Sequence, residues 1–254
     1  MQLTVLGCSG GIGGGRHTTC YLVDDDTLLD AGTGITTLTM LQLARIDQVF
    51  LTHSHLDHVL GLPLLLDTVG GMRSTPVTVY ALPEVLNVLD HNLFNGKLWP
   101  DFRSIPSHEH PWLRFHSVPL GSSIRLGARE FTPLPVVHVV PACGWQLNDS
   151  GGSLVFSGDT TSSEAFIQAL NAIPELQHLI IETSFENAQE GVAVVAKHHC
   201  PDSVAHDLDR LTARPEVWIA HLKPGHEDAI MAELKLAAPK WNPRVLQNEQ
   251  VIKW

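Results

Sequence analysis

At 254 residues, with 44% apolar and 17% charged side chains, the chain is long enough for a sizeable core and has the composition of a folded globular protein, not a disordered one. Its 27 acidic residues against 16 Lys and Arg give a formal charge of −11, which argues against a generic nucleic-acid binder, since such a protein needs a basic stripe. No apolar run approaches the roughly 18 residues that span a bilayer, and Cys8, Cys20, Cys143 and Cys200 form no Cys-x-x-Cys pair, so neither a disulfide framework nor a thiolate zinc site organises the chain.

In chain order, residues 2–6, 19–23 and 27–29 read as short strands separated by turn residues. The start has no basic leader, which makes the cytoplasm the expected location. Residues 7–15 are rich in glycine, but no register gives Gly-x-Gly-x-x-Gly and no Gly-Lys-Ser/Thr follows; a flexible turn near the site is expected instead. Residues 34–45 predict a helix and 48–51 a buried strand. Residues 56–69 predict a helix that Pro63 starts or kinks. A strand at 77–80 and a helix carrying Val85, Leu86, Val88 and Leu89 follow. Residues 92–116, rich in Pro, Trp and His, read as the irregular segment that would cover a site.

The second half repeats the alternation, with strands at 130–137, 144–147 and 153–156, a helix at 162–171 and a strand at 178–181. A helix at 202–212, a strand at 216–220 and a helix at 227–236 complete it. With no repeat or linker to divide it, the chain reads as one domain over residues 1–254. Hairpins mixed with strand–helix units fit helices packed outside two facing sheets.

The chemistry concentrates in Thr52-His53-Ser54-His55-Leu56-Asp57-His58, between a predicted strand and helix. His53 and His55 can converge on one cation, and Asp57 and His58 on a second. Imidazole nitrogen with carboxylate oxygen suits zinc, manganese or iron. A polar loop of helix-capping groups is the plain alternative, but four ligand-type residues in six positions point to metal.

These residues resemble the His-x-His-x-Asp-His signature of the metallo-β-lactamase superfamily. The resemblance implies an α/β fold, a four-layer αββα sandwich, with the site at one edge of the sheets. It implies one ion on His53, His55 and His138, another on Asp57, His58 and His221, and Asp159 bridging. The cofactors would be two divalent metal ions, zinc before manganese or iron. Asp30, in Leu-Leu-Asp-Ala-Gly, would orient a metal-bound histidine.

Three stretches narrow the branch. Residues 55–66 resemble the class II 3′,5′-cyclic nucleotide phosphodiesterase signature, with Leu56 and Gly61 in place, although Asp67-Thr68 departs from it. The Phe94-Asn95 and Trp99-Pro100 pairs and His221-Leu222-Lys223-Pro224 are similar to segments of the same family. Glu182 and His198 resemble an acid–histidine pair shared by phosphodiesterase branches, and with Asp57 they make up the implied catalytic groups. His198 is preferred to His199 as proton donor by its offset from the next helix, and Lys223 is a candidate phosphate contact.

The implied reaction is hydrolysis of cAMP or cGMP to the 5′-monophosphate by a metal-bridging hydroxide. The implied partner is a small cyclic nucleotide, not a nucleic acid or membrane; oligomeric state stays open, a homodimer being common in these branches. The rivals are an endoribonuclease of the tRNA 3′-end type, a thioester or lactone hydrolase, and a non-catalytic metal binder. Of the other histidines, only His108 and His110, flanking Glu109, have ligand-type company, as a lid contact.

Overall fold

The computed structural model describes residues 1–254. β1 (Gln2–Gly7), β2 (Cys20–Val23), β3 (Thr27–Leu29), β4 (Gln48–Phe50), β5 (Val77–Ala81) and β6 (Leu113–Ser117) lie side by side in chain order. The second sheet holds β7 (Ile124–Leu126), β8 (Arg129–Pro135), β9 (Cys143–Asp149), β10 (Gly152–Phe156), β11 (Leu176–Glu182), β12 (Glu216–Ala220) and β13 (Arg244–Val245). β14 (Val251–Lys253) returns to the first sheet beside β1.

Each sheet begins as antiparallel hairpins and continues as parallel strands, β3 to β6 in one and β10 to β13 in the other. Parallel strands all end on the same side, and the loops at their carboxyl ends are where open α/β sheets bind ligands.

Between the sheets, the Phe50 ring stacks on Phe131 at 4.1 Å and on Tyr80 at 4.6 Å, with Trp145 edge-on at 5.0 Å. Trp145 Nε1 donates to Leu51 O across the gap (3.0 Å), so the indole is buried without losing its hydrogen bond. Helices cover both outer faces. In α1 to α4 (Met40–Leu43, Leu56–Val59, Gly61–Val69, Pro83–Val88), the clearest stripe is Leu62, Leu65, Leu66 and Val69, the i, i+3, i+4, i+7 pattern of a buried helix face. α5 (Glu164–Asn171), α6 (Glu190–Ala196), α7 (Pro201–Leu208) and α8 (Glu227–Ala237) lie along the second half, and Phe166, Val204 and Ile230 pack with Leu179 and Ile219 in a separate core. The four-layer αββα sandwich implied by the sequence is therefore present.

Several local expectations change. The helix over residues 34–45 is a 3-10 turn at Thr33–Thr37 and a single turn, α1, because Thr39 stops the first and caps the second through a reciprocal bond with Gln42. The helix over 56–69 divides at Leu60 into α2 and α3, with Pro63 tolerated in the first turn of α3. Residues 92–116 are irregular as expected except that β6 begins within them, and the helix over 202–212 ends at Leu208.

At the sheet ends away from the parallel-strand loops, Arg129 forks onto Asp26 with bonds of 2.6 and 2.9 Å and reaches Asp24 at 3.3 Å. This joins the β2–β3 turn of one sheet to β8 of the other. Partial burial works against the Asp26 charge, but the guanidinium holds its carboxyl below the usual range. A carboxylate with a depressed folded pKa adds stability above its unfolded pKa of about 3.9 and loses it as pH falls through the folded value. Arg129→Met should therefore cost about 1 kcal/mol at pH 7 in urea unfolding. The difference should narrow below about pH 4 as Asp26 protonates.

Candidate metal centre

The parallel strands of both sheets deliver their carboxyl ends to one place. β4 leads into Thr52 and His53, β12 ends at Ala220 just before His221, and Asp159 follows β10. His138 lies three residues beyond β8, in a loop, so the expected strand over 130–137 stops two residues early. Two turns are tight. Gly158 has φ +61, with Thr52 against the position of a Cβ, and a Cβ on Gly61 would strike Ile35 and the Ala31 carbonyl. The glycine three residues after His58 thus lets α2 and α3 press onto the Asp30 loop.

The seven residues implied as ligands converge in the two expected groups. Donor atoms of His53, His55, His138 and Asp159 all lie within 4.8 Å of one another, as do those of Asp57, His58, Asp159 and His221. Asp159 Oδ2 is 3.3 Å from His221 Nε2, 3.4 Å from His58 Nε2 and 3.8 Å from His53 Nε2, the place of a bridging group. Asp57 Oδ2 lies 3.2 Å from His221 Nε2.

Behind this ring, other groups fix which nitrogen each imidazole presents. His58 Nδ1 donates to Asp30 Oδ2 (2.7 Å), His53 Nδ1 to Thr52 Oγ1 (3.0 Å), His138 Nδ1 to Lys197 O (3.1 Å) and His221 Nδ1 to Ser184 Oγ (2.9 Å). Each of these rings therefore turns an Nε2 lone pair inward. Asp30, fully buried at φ +54, also accepts from Thr52 N and Oγ1 at 2.8 Å, which fixes the carboxylate behind His58.

Such a set fits a cation and little else. His53 Nε2 and His58 Nε2 are buried without a hydrogen-bond partner, a costly state for polar atoms. His55 Nδ1 and His138 Nε2 face each other at 3.3 Å. Burial opposes a charge on Asp159, yet His221, His58 and His53 hold its carboxyl well below the usual range. Burial likewise opposes a charge on His58, but Asp159 and Asp30 more than offset it and raise its pKa well above normal. Bound divalent ions would supply the positive charge that these carboxylates otherwise draw onto imidazole.

Glu182 and His198 stand at the edge of this centre. Glu182 Oε1 accepts from His198 Nδ1 at 2.6 Å and from Thr160 N at 3.1 Å. Ser184 Oγ donates to Glu182 Oε2 (3.0 Å), linking this pair to His221. The His198 ring centroid is 5.0 Å from that of His138 and 5.4 Å from that of His221. Burial lowers the pKa of His198, but Glu182 reverses this and raises it. His199 points elsewhere: fully buried, it bonds Ser203 Oγ at 2.8 Å. Lys223 Nζ donates to Gly10 O (3.0 Å), tying the glycine-rich turn to the His221 loop. That turn lies against the site, since a Cβ on Gly10 would meet His221.

Sequence reasoning assigned no role to Thr52, Ser184 or Lys197. The first two had a usable signal, a hydroxyl next to His53 and one two residues past Glu182. Lys197 acts through its carbonyl, which any residue has.

A family model for the beta-lactamase superfamily domain matches residues 26–222, most of the chain and every residue of the site. The chain belongs to the metallo-β-lactamase superfamily. Among relatives within the superfamily, a ribonuclease Z from Pyrococcus horikoshii is 34% identical over 46% of this chain and 37% of its own length. A probable 3′,5′-cyclic-nucleotide phosphodiesterase from Yersinia pestis is 30% identical over 40% of this chain and 36% of its own. The matched part of the chain thus spans little more than a third of either relative. The fold of yeast PDE1 superposes with a TM-score of 0.83 at 17% identity, covering 100% of this chain and 99% of that one.

Asp30→Asn keeps a side chain that tolerates positive φ but removes the charge behind His58. It should weaken binding of a divalent metal ion about 10- to 100-fold, read by competition with a chelating dye.

Proposed function

We propose that the protein is a metal-dependent phosphodiesterase that hydrolyses 3′,5′-cyclic nucleotides to nucleoside 5′-monophosphates. The observation that carries this reading is the Glu182–His198 pair, 2.6 Å apart, on the rim of the seven-ligand cluster. Thioester hydrolysis, whose thiolate departs without a proton, has no evident use for such a pair. Cleavage of an alkyl phosphodiester does, because the departing alkoxide is strongly basic and needs a proton.

His53, His55 and His138 would hold one divalent ion, and Asp57, His58 and His221 the other, with Asp159 shared. When bound, the ions supply positive charge to the phosphate oxygens and a water of lowered pKa. His198, charged through Glu182, keeps Nδ1 on that carboxylate and has Nε2 free to give a proton. Water adds to phosphorus, giving up a proton to solvent, as the P–O3′ bond breaks, and the His198 proton goes to O3′. Glu182 then faces a neutral imidazole that the solvent reprotonates.

The small cyclic substrate is favoured over RNA by the net charge of −11. The second reading, a tRNA 3′-end endonuclease, is favoured by the recurrence of ribonuclease Z among the relatives.

Metal-loaded protein should release 5′-AMP or 5′-GMP from the cyclic nucleotide, followed by chromatography. Cleavage of bis(p-nitrophenyl) phosphate with no 5′-nucleotide formed would sink the proposal. Salt-sensitive cutting of a precursor tRNA at its 3′ end would establish the second reading.

Leaving-group dependence tests the acid. His198→Ala and Glu182→Gln should lower kcat on the cyclic nucleotide by about 10²- to 10⁴-fold. Bis(p-nitrophenyl) phosphate, whose phenolate leaves unaided, should lose far less.

A further inference from the structure

A cleft of about 610 Å³ opens beside His138, between residues 136–142, residues 82–84 and the Pro119-Leu120 turn. Its size is within the range of small-molecule sites, about 300–1,000 Å³. Leu120, Val137 and Val139 line it while 48%, 38% and 48% exposed, and Leu82 and Pro83 add to the apolar wall. Aliphatic side chains left in water next to a reactive centre form a surface that a flat, weakly hydrated ring can cover. Among the lining residues there is no Lys or Arg, and the one carboxylate is Glu84. Glu84 is exposed in the first turn of α4.

We propose that this cleft takes the base of the cyclic nucleotide and that Glu84 selects guanine. The inference rests on the cyclic-nucleotide reading above and adds to it the choice of base. A carboxylate offers two acceptors and no donor. Guanine presents N1–H and N2–H side by side, so both can be given to one carboxylate. Adenine sets its N6–H beside the N1 lone pair, and cytosine sets its N4–H beside N3, so each pairs one donor and forces one repulsion. Uracil has a single N–H flanked by two acceptors. The same charge sets the direction of binding, because Glu84 repels the phosphate while cations at the ligand cluster attract it.

The test compares cGMP with cAMP, and 5′-GMP with 5′-AMP, on metal-loaded wild type and Glu84→Gln. Wild type should favour cGMP in kcat/KM, and 5′-GMP in calorimetric Kd, by about tenfold, the scale of one hydrogen bond to a charged group. Glutamine can accept from N6 and donate to N1 of adenine, and can equally accept from N1 and donate to O6 of guanine, so the variant should abolish both preferences. Equal handling of the two bases by wild type, or an equal fall on both in the variant, would overturn the assignment of Glu84. If bis(p-nitrophenyl) phosphate is cleaved and neither cyclic nucleotide is, the cyclic-nucleotide reading fails. The 5′-GMP and 5′-AMP affinities then decide the cleft on their own.

Discussion

One buried carboxylate organises the molecule's working end. Asp159 is 3% exposed and lies within 3.8 Å of imidazole nitrogens from His53, His58 and His221. An ionised acid there cannot be solvated by water, so positive charge must be held around it. That requirement explains why loops from both sheets close over the same few ångströms, and why the imidazoles are oriented from behind by Asp30, Thr52, Ser184 and the Lys197 carbonyl. The aromatic stack of Phe50, Phe131, Tyr80 and Trp145 sets how the two sheets face each other, and so keeps their loops in register.

The proton-donating edge shares this framework. Ser184 touches Glu182, His198 and His221, so the pair proposed for proton transfer and one wall of the ligand cluster hang from a single hydroxyl. Lys197 makes a second link: its carbonyl accepts from His138 and its ammonium donates to the His138 carbonyl, both at 3.1 Å. It does so at φ +53, a conformation a β-carbon disfavours, which ends α6 and turns His198 back towards Glu182.

Much of this was legible in the sequence because it is local. His53, His55, Asp57 and His58 lie within six residues, and the glycine at 61 that their loop needs is three further on. His138, Asp159 and His221 were placed only through a family resemblance, since nothing in their own neighbourhoods states that they meet. The contacts behind the imidazoles were harder, because they depend on how far each loop travels after its strand. His199 shows the limit: next to His198 and identical in type, it is buried against Ser203 on the far side. The misread helix over residues 34–45 has a local cause, as the apolar spacing favours a helix while Thr39 and the β-branched residues before it favour a break.

The dispersal of the ligands has a consequence for how the protein matures. Asp57 meets His221 across 164 residues of chain, and His55 meets His138 across 83. Contacts so remote in sequence form only when both sheets are paired and docked, and such topologies fold slowly. No partly built intermediate holds the whole donor set, so tight metal capture belongs to the finished fold. Ions that bind this state and not the unfolded chain stabilise it by mass action. Metal supply then acts late, as a latch on chains that have already folded, and scarcity would leave a pool of folded, vacant molecules turned over faster than their loaded counterparts.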